Sequence, residues 1–423
     1  MRRRLAATFL PLALNAGALV GPPGPGQSGP SLPPPTTTST ATSTATATDN
    51  TPPTTAASTA NTASTASTAN TANTTNTANT TNTANTTSTV TTVPVAGPRL
   101  PPPYNDRSWT LTFAGDTLLT RRISDAVDPF AGIRPPLADS DLAIVNLETA
   151  LSTRGRAAIK EFTFRSAPSF ADRLNAAGVD VVSLANNHTL DFGLDALGDT
   201  RDNLDRVEIA HVGAGATVGE ALRPAEFTIN GTDVAVLGAS QIIPNGSWPA
   251  TDTRSGVASA GKHVIDRETQ RLLAAVRSAR TTNDVVVVVL HWGIEGDPCP
   301  SAVQRQLARL LRDNGATAVL GAHPHVLQPV VRDPMAPGRT DRNGVIAYSL
   351  GNFIWDPRGG ATADTGTLEL RFDGPALVAM TFHPHRLNAN GWAQAVDPAA
   401  TAGRAISARV SRTCPGAQGT SAF

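Results

Sequence analysis

The chain has 423 residues, with 34 Lys and Arg balancing 34 Asp and Glu, so it carries no formal net charge. That balance excludes the basic footprint of a nucleic-acid or anionic-membrane binder. Between Leu5 and Pro98 the only charged side chain is Asp49, and a stretch of Thr, Ala, Ser, Asn and Pro cannot bury a core; residues 99–423 remain, enough for one large domain or two small ones.

In chain order, Arg2, Arg3 and Arg4 form a basic start, followed by an apolar run over 5–20. This has the length of a secretory signal and is short for a membrane span, so residues 1–21 read as a signal peptide or an uncleaved signal anchor. Residues 22–106 read as a disordered Thr/Ala/Asn/Pro-rich linker, a spacer between the export segment and the folded part. A folded domain is expected over 107–386, with a C-terminal tail over 387–423. The two cysteines, Cys299 and Cys414, lie in Pro-containing loops. In an exported chain the pair reads as a disulfide tying the tail to the core, with two free thiols the alternative.

From residue 109 strand and helix patterns alternate. Strands are expected over 109–114, 142–145, 179–184, 285–290, 316–320 and 345–350, the valine-rich run at 285–290 as a central buried strand. Helices are expected over 167–177, over 193–204 with Leu194, Leu197 and Leu204 on one stripe, and over 266–280 with Leu272, Leu273, Val276 and Ala279 at helical spacing. Ser301-Ala302-Val303-Gln304 is a capping box. It opens a helix with Val303, Leu307, Leu310 and Leu311 inward, ended at Gly315. Residues 227–241 and 367–386 read as strands without helices between them, so antiparallel strands in a second sheet accompany the parallel βαβ units. His383 and His385 fall in the last of these, expected to be an edge strand, and read as surface residues.

Each of six strands runs into polar residues at its carboxyl end, where α/β sheets bind ligands. The ends carry Asp116, Glu148, the trio Asn186-Asn187-His188, His291, the pair His323 and His325, and Asn352. Two imidazoles one residue apart after a buried strand can face one cation or one each of two. His291 follows another buried strand. Asp116 and Glu148 supply the negative charge that neutral imidazoles cannot, and the mixed Asp/Glu/Asn/His set suits one or two divalent ions, Mn, Fe or Zn. Arg165 reads either as a holder of an anionic substrate group or as a surface arginine. Asn186 joins it as a candidate for substrate binding, and Asn352 either contacts substrate or orients the site. Trp292 reads as packing.

The segments Phe113-Ala114-Gly115-Asp116, Asn146-Leu147-Glu148, Ser183 to His188, His291-Trp292-Gly293, His323-Pro324-His325-Val326 and Ser349 to Phe353 occur in this order. As an ordered set they resemble the bacterial capsule synthesis CapA family (poly-γ-glutamate capsule), which is similar to calcineurin-like metallophosphoesterases. The resemblance spans residues 109–355. It implies a four-layer α/β/β/α sandwich of metallophosphatase-like kind. It further implies Asp116 as the first-strand ligand, Glu148 in the place of the bridging carboxylate, Asn187 as the amide ligand, and His291, His323 and His325 as the remaining ligands. His188 would be the acid or transition-state stabiliser. Two departures stand out: Leu118 occupies the position of the histidine in the Asp-x-His start of the phosphoesterases, and Glu148 replaces an Asp. The implied role is capsule or envelope polymer synthesis or attachment by a secreted or surface protein, as a metal-dependent hydrolase or transferase. Its partners would be the polymer, or another anionic substrate, and membrane-bound capsule enzymes. A non-catalytic polymer-binding or assembly role and a plain phosphoesterase are the alternatives.

Overall fold

The alternation of large apolar and smaller residues along the first strand, Ser108–Thr117 (β1), sends Trp109, Leu111 and Phe113 to one face of a sheet and Ala114 to the other. The same period of two repeats through the chain and builds a layered molecule. In the computed structural model described here, structure is defined for residues 106–119, 128–333, 344–356, 359–416 and 420–421. The expected export segment and all but the last residue of the expected linker lie outside the described residues.

Further strands are Leu142–Leu147 (β2), Val181–Ser183 (β3), Ala210–Val212 (β4), Ala225–Ile229 (β5), Thr232–Ser240 (β6), Val285–His291 (β7) and Ala318–Ala322 (β8). They continue with Val330–Asp333 (β9), Gly344–Ala347 (β10), Asn352–Ile354 (β11), Asp364–Asp373 (β12), Ala376–Leu387 (β13), Ala393–Ala395 (β14) and Thr420–Ser421 (β15). One sheet runs β14-β13-β12-β1-β2-β3-β4, with β11 also paired to β1, and the other runs β15-β9-β10-β8-β7-β6-β5. β1 to β4 are mutually parallel, as are β6, β7, β8 and β10. β5 and β6 form a hairpin on Asn230 and Gly231, both at positive φ, the backbone a tight two-residue turn needs.

The inner faces of both sheets share one core, in which Trp109, Leu111, Phe113 and Ile144 meet Phe227, Val236, Val285, Val287 and Val289. Ala143, Val145 and Val182 face outward under the helices Phe170–Ala176 (α1) and Gly193–Arg206 (α2). Ala235, Leu237, Val286, Val288 and Leu290 face outward under Arg267–Thr282 (α3) and Ala302–Asp313 (α4). The result is the expected four-layer α/β/β/α sandwich. Each fully buried Leu or Val contributes about 1.5–3 kcal/mol. Among the described residues no helix is long and apolar enough to cross a membrane.

Several local expectations change. The capping box on Ser301 and Gln304 is present, but Val303 is exposed, as is Leu194 in α2. The inward stripe of α4 instead runs through Gln304, Leu307, Ala308 and Leu311, the i, i+3, i+4, i+7 row of a helix. Gln304 is fully buried because its amide donates to Gln328 Oε1 at 3.0 Å. The strand expected over 345–350 stops at Ala347. The chain then crosses to the other sheet, and Asn352–Ile354 pairs in parallel with β1. β13 is not an edge strand, since β14 pairs on its far side. His385 is therefore buried, not on the surface, and donates from Nδ1 to the His383 carbonyl at 2.7 Å. His383 is partly exposed and pairs with Glu369 at 3.2 Å.

Beyond residue 387 the chain stays part of the fold. β14 extends the first sheet, and the helix Thr401–Val410 (α5) adds Ile406 and Val410 to the core between the sheets. Cys299 and Cys414 form a disulfide with Cα atoms 5.7 Å apart. All described residues belong to one compact unit.

Candidate metal centre

Asp116 reaches the site because the backbone beside it approaches the crossing segment closely. Its N–H donates to the Gly351 carbonyl at 2.9 Å, and a Cβ on Gly115 would lie 2.0 Å from that oxygen. Asn146, at the end of β2, donates to Asp116 Oδ1 at 2.8 Å and to Glu148 Oε2 at 3.2 Å. One amide thus holds two fully buried carboxylates side by side. Asn186 donates to the Leu147 carbonyl at 2.8 Å and accepts from the His188 N–H at 3.0 Å. That fixes the turn so that Asn187 Oδ1 lies 2.7 Å from His291 Nε2.

The second sheet supplies three imidazoles. His291 closes β7, with Nε2 3.4 Å from Glu148 Oε1. His323 and His325 follow β8. The His323 N–H donates to Asp116 Oδ2 at 3.1 Å. His325 Nδ1 lies 3.1 Å from Asp116 Oδ2 and 2.9 Å from Asn352 Oδ1. Both histidines have positive φ, 97° and 56°, a conformation that costs about 1–3 kcal/mol per residue and concentrates at functional sites.

Three sets of ligand atoms, each within 4.8 Å of one another, overlap here: Glu148, His291 and His323; Asp116, Glu148 and His325; and Glu295, His323 and His325. Two buried polar atoms of these sets, Glu148 Oε1 and His323 Nδ1, have no hydrogen-bond partner. Leaving such atoms unmatched costs about 1–3 kcal/mol each, and a cation shared by the sets would satisfy both. The donor set fits a divalent ion.

The electrostatics favour the ligand-competent neutral form for two of the three imidazoles. Burial holds His291 well below the ordinary histidine value, reinforced by His323 and His325. Burial and the neighbouring His325 bring His323 down to about 3. Both rings are neutral near pH 7, the form a metal takes. Burial also opposes the charge on His325, but the Asp116 hydrogen bond and charge outweigh it and raise its pKa. Burial would raise Asp116, yet the His325 hydrogen bond and charge hold it below the ordinary value. Burial and then Asp116 push Glu148 well above it.

His188 stands beside the carboxylates. Its Nε2 lies 3.9 Å from Glu148 Oε1 and its Nδ1 2.7 Å from Asp191 Oδ2. Phe164 stacks on the ring at 4.1 Å between centroids. Lys160, from the loop between Ala150–Leu151 and its paired segment Arg165–Ser166, pairs with Asp191 Oδ1 at 2.6 Å and donates to the Asn187 carbonyl at 2.6 Å. Burial lowers the His188 pKa against the opposing pull of Asp191.

The structure therefore brings together Asp116, Glu148, Asn187, His188, His291, His323 and His325. Asn352 touches the cluster through His325, and Asn186 serves the turn. Arg165 is turned elsewhere: its guanidinium donates to the Thr153 and Gly155 carbonyls and lies 3.5 Å over the Phe192 ring. Leu118 is buried in the outer core of the first sheet. Three participants were not singled out from sequence: the Asn146 amide, Lys160 and Glu295. Lys160 is one of only two lysines in the chain, a weak signal. Glu295 sits four residues after His291 between two glycines, a loop signal that carries no partner information.

Four layers with a carboxylate and imidazole cluster at facing strand ends make an α/β/β/α sandwich compatible with the metallophosphatase-like kind. A family model described as "Bacterial capsule synthesis protein PGA_cap" matches residues 110–357, and the chain belongs to that family. It is 28% identical over 275 residues to "PGA biosynthesis protein CapA" of Bacillus subtilis (strain 168), covering 63% of this chain and 68% of the relative. It is 30% identical over 281 residues to "Capsule biosynthesis protein CapA" of Bacillus anthracis, covering 64% and 66%. It is also 30% identical over 240 residues to a "Probable polyglutamine synthesis accessory protein" of Mycobacterium tuberculosis, covering 55% and 60%. The chain spans about two thirds of the first two relatives.

Proposed function

We propose that this protein acts outside the cytoplasm in the synthesis or attachment of an envelope polymer of poly-γ-glutamate type, as a metal-dependent hydrolase or transferase. The relatives' names support the polymer class. One observation carries the chemistry: seven polar side chains from two sheets converge while Glu148 Oε1 and His323 Nδ1 stay buried without a hydrogen-bond partner. Asp116, Glu148, Asn187, His291, His323 and His325 would hold one or two divalent ions, Mn, Fe or Zn. Bound there, such an ion supplies Lewis acidity toward an acyl or phosphoryl oxygen and toward water.

The chain's own residues do the rest. Asp191 accepts from His188 Nδ1–H and so fixes its tautomer and direction, leaving an unprotonated Nε2 toward Glu148 that would take a proton from the attacking nucleophile and pass it to the leaving group. Phe164, which packs edge to face on Trp355 at 5.5 Å, covers one face of that ring. The first test is turnover of poly-γ-glutamate oligomers by purified protein with and without Mn²⁺ or Zn²⁺. His188→Ala should lower turnover by about 10²–10⁴-fold. Metal-independent turnover that survives this change would sink the reading.

A second reading is a non-catalytic polymer-binding or assembly protein. Leu118 favours it, because an apolar side chain points into the core where a phosphoesterase carries an imidazole. It predicts polymer binding with no turnover under any metal.

A further inference from the structure

Leu118 offers no donor to the cluster, and the structure provides one that is not among the strand-end residues. Glu295 lies in the loop after β7, between Gly293 and Gly296, both at positive φ. The loop is tied to the histidine turn itself: the Gly296 N–H donates to the Pro324 carbonyl at 2.8 Å. Gly293 cannot be replaced freely, since a Cβ there would lie 2.8 Å from the Gln304 amide. The loop is thus pinned on both sides. Its exposed carboxylate is held so that a carboxylate oxygen and a nitrogen from each of His323 and His325 lie within 4.8 Å of one another. His323 has a buried Nδ1 with no hydrogen-bond partner, so one of these groups already waits for a ligand.

We infer that Glu295 is a metal ligand that closes the outer position of the centre with His323 and His325, supplying from the second sheet a donor that Leu118 does not offer from the first. This rests on the metal-binding reading above. The exchange has a chemical consequence. A carboxylate in place of an imidazole makes the position harder and favours an oxygen-preferring ion such as Mn²⁺ over Zn²⁺. It also adds a negative charge at the solvent-facing side, where imidazoles alone would leave the ion uncompensated.

The test is equilibrium dialysis of the full chain against Mn²⁺ and, separately, the visible absorption spectrum on titration with Co²⁺, for the parent and Glu295→Gln. The exposed position allows the variant to fold, which its denaturation midpoint in chelator checks. The expected result is a loss of affinity of about 10-fold or more for one equivalent of Mn²⁺, with a changed Co²⁺ spectrum. Unchanged binding and an unchanged spectrum in a parent that does bind metal would overturn the role of Glu295 and leave the metal centre standing. A parent that binds no Mn²⁺, Co²⁺ or Zn²⁺ would overturn the metal-binding reading and this inference with it.

Discussion

His325 Nδ1 lies 3.1 Å from Asp116 Oδ2, so the loop after β8 in one sheet closes an ion pair on the first strand of the other. The two sheets meet at this end through charge, whereas elsewhere they meet through valine, leucine and phenylalanine. Asp116 is fully buried and His325 largely so, and breaking one partner of a buried pair costs far more than removing both. In chelator-treated protein His325→Ala should lose about 3–5 kcal/mol of stability. The double variant with Asp116→Asn should recover part of that loss, because the orphaned charge is gone. Denaturant unfolding of the four proteins in the cycle measures the coupling; additive losses would show that the pair is not a unit.

Stability should fall with acid through one histidine outside the candidate metal centre. Burial brings the His385 pKa from the ordinary 6.5 down to about 4. Between those values the unfolded chain binds a proton that the folded chain refuses, so this contribution rises with pH and is lost as pH drops from 6.5 toward 4. Its span is about 3 kcal/mol. His385→Gln should flatten the difference in unfolding free energy between pH 7 and pH 4 relative to the parent. Parallel curves for the two proteins would count against the assignment.

The disulfide joins residues 115 apart in sequence. Closing a loop of that length stabilises by about 4–5 kcal/mol in the chain-entropy account. Cys299→Ser with Cys414→Ser should lower the unfolding free energy by that order and raise amide exchange first in α5, the element the bond holds down. Equal exchange in both proteins would mean that Ile406 and Val410 suffice to seat the helix.

Gly115→Ala should be damaging out of proportion to its size. The added Cβ would meet the Gly351 carbonyl at 2.0 Å, and backbone cannot move aside cheaply. We expect a loss of about 1–3 kcal/mol together with weaker Mn²⁺ binding, since Asp116 is the next residue. The same change at Gly231, whose Cβ would meet nothing within 4 Å, tests the other source of glycine preference, positive φ alone. There stability should fall less and metal binding not at all.

What the sequence determined by itself is what short-range pattern carries. Runs such as Val285 to Leu290 announce buried strands, Ser301 with Gln304 announces a helix start, and polar residues placed just after such strands announce where chemistry can gather. Asp116, Glu148, Asn187, His291, His323 and His325 are legible for that reason. The tertiary structure decided everything that depends on which strand lies beside which. It took Asn352 across to the first sheet, buried His385 by pairing β14 to β13, and turned Arg165 onto carbonyls of its own loop. It brought Lys160 to Asp191 and Glu295 to His323 and His325. Periodicity records which face of an element is apolar, but contacts between distant segments follow from strand order and from two sheets closing on one core. No local pattern encodes those distances.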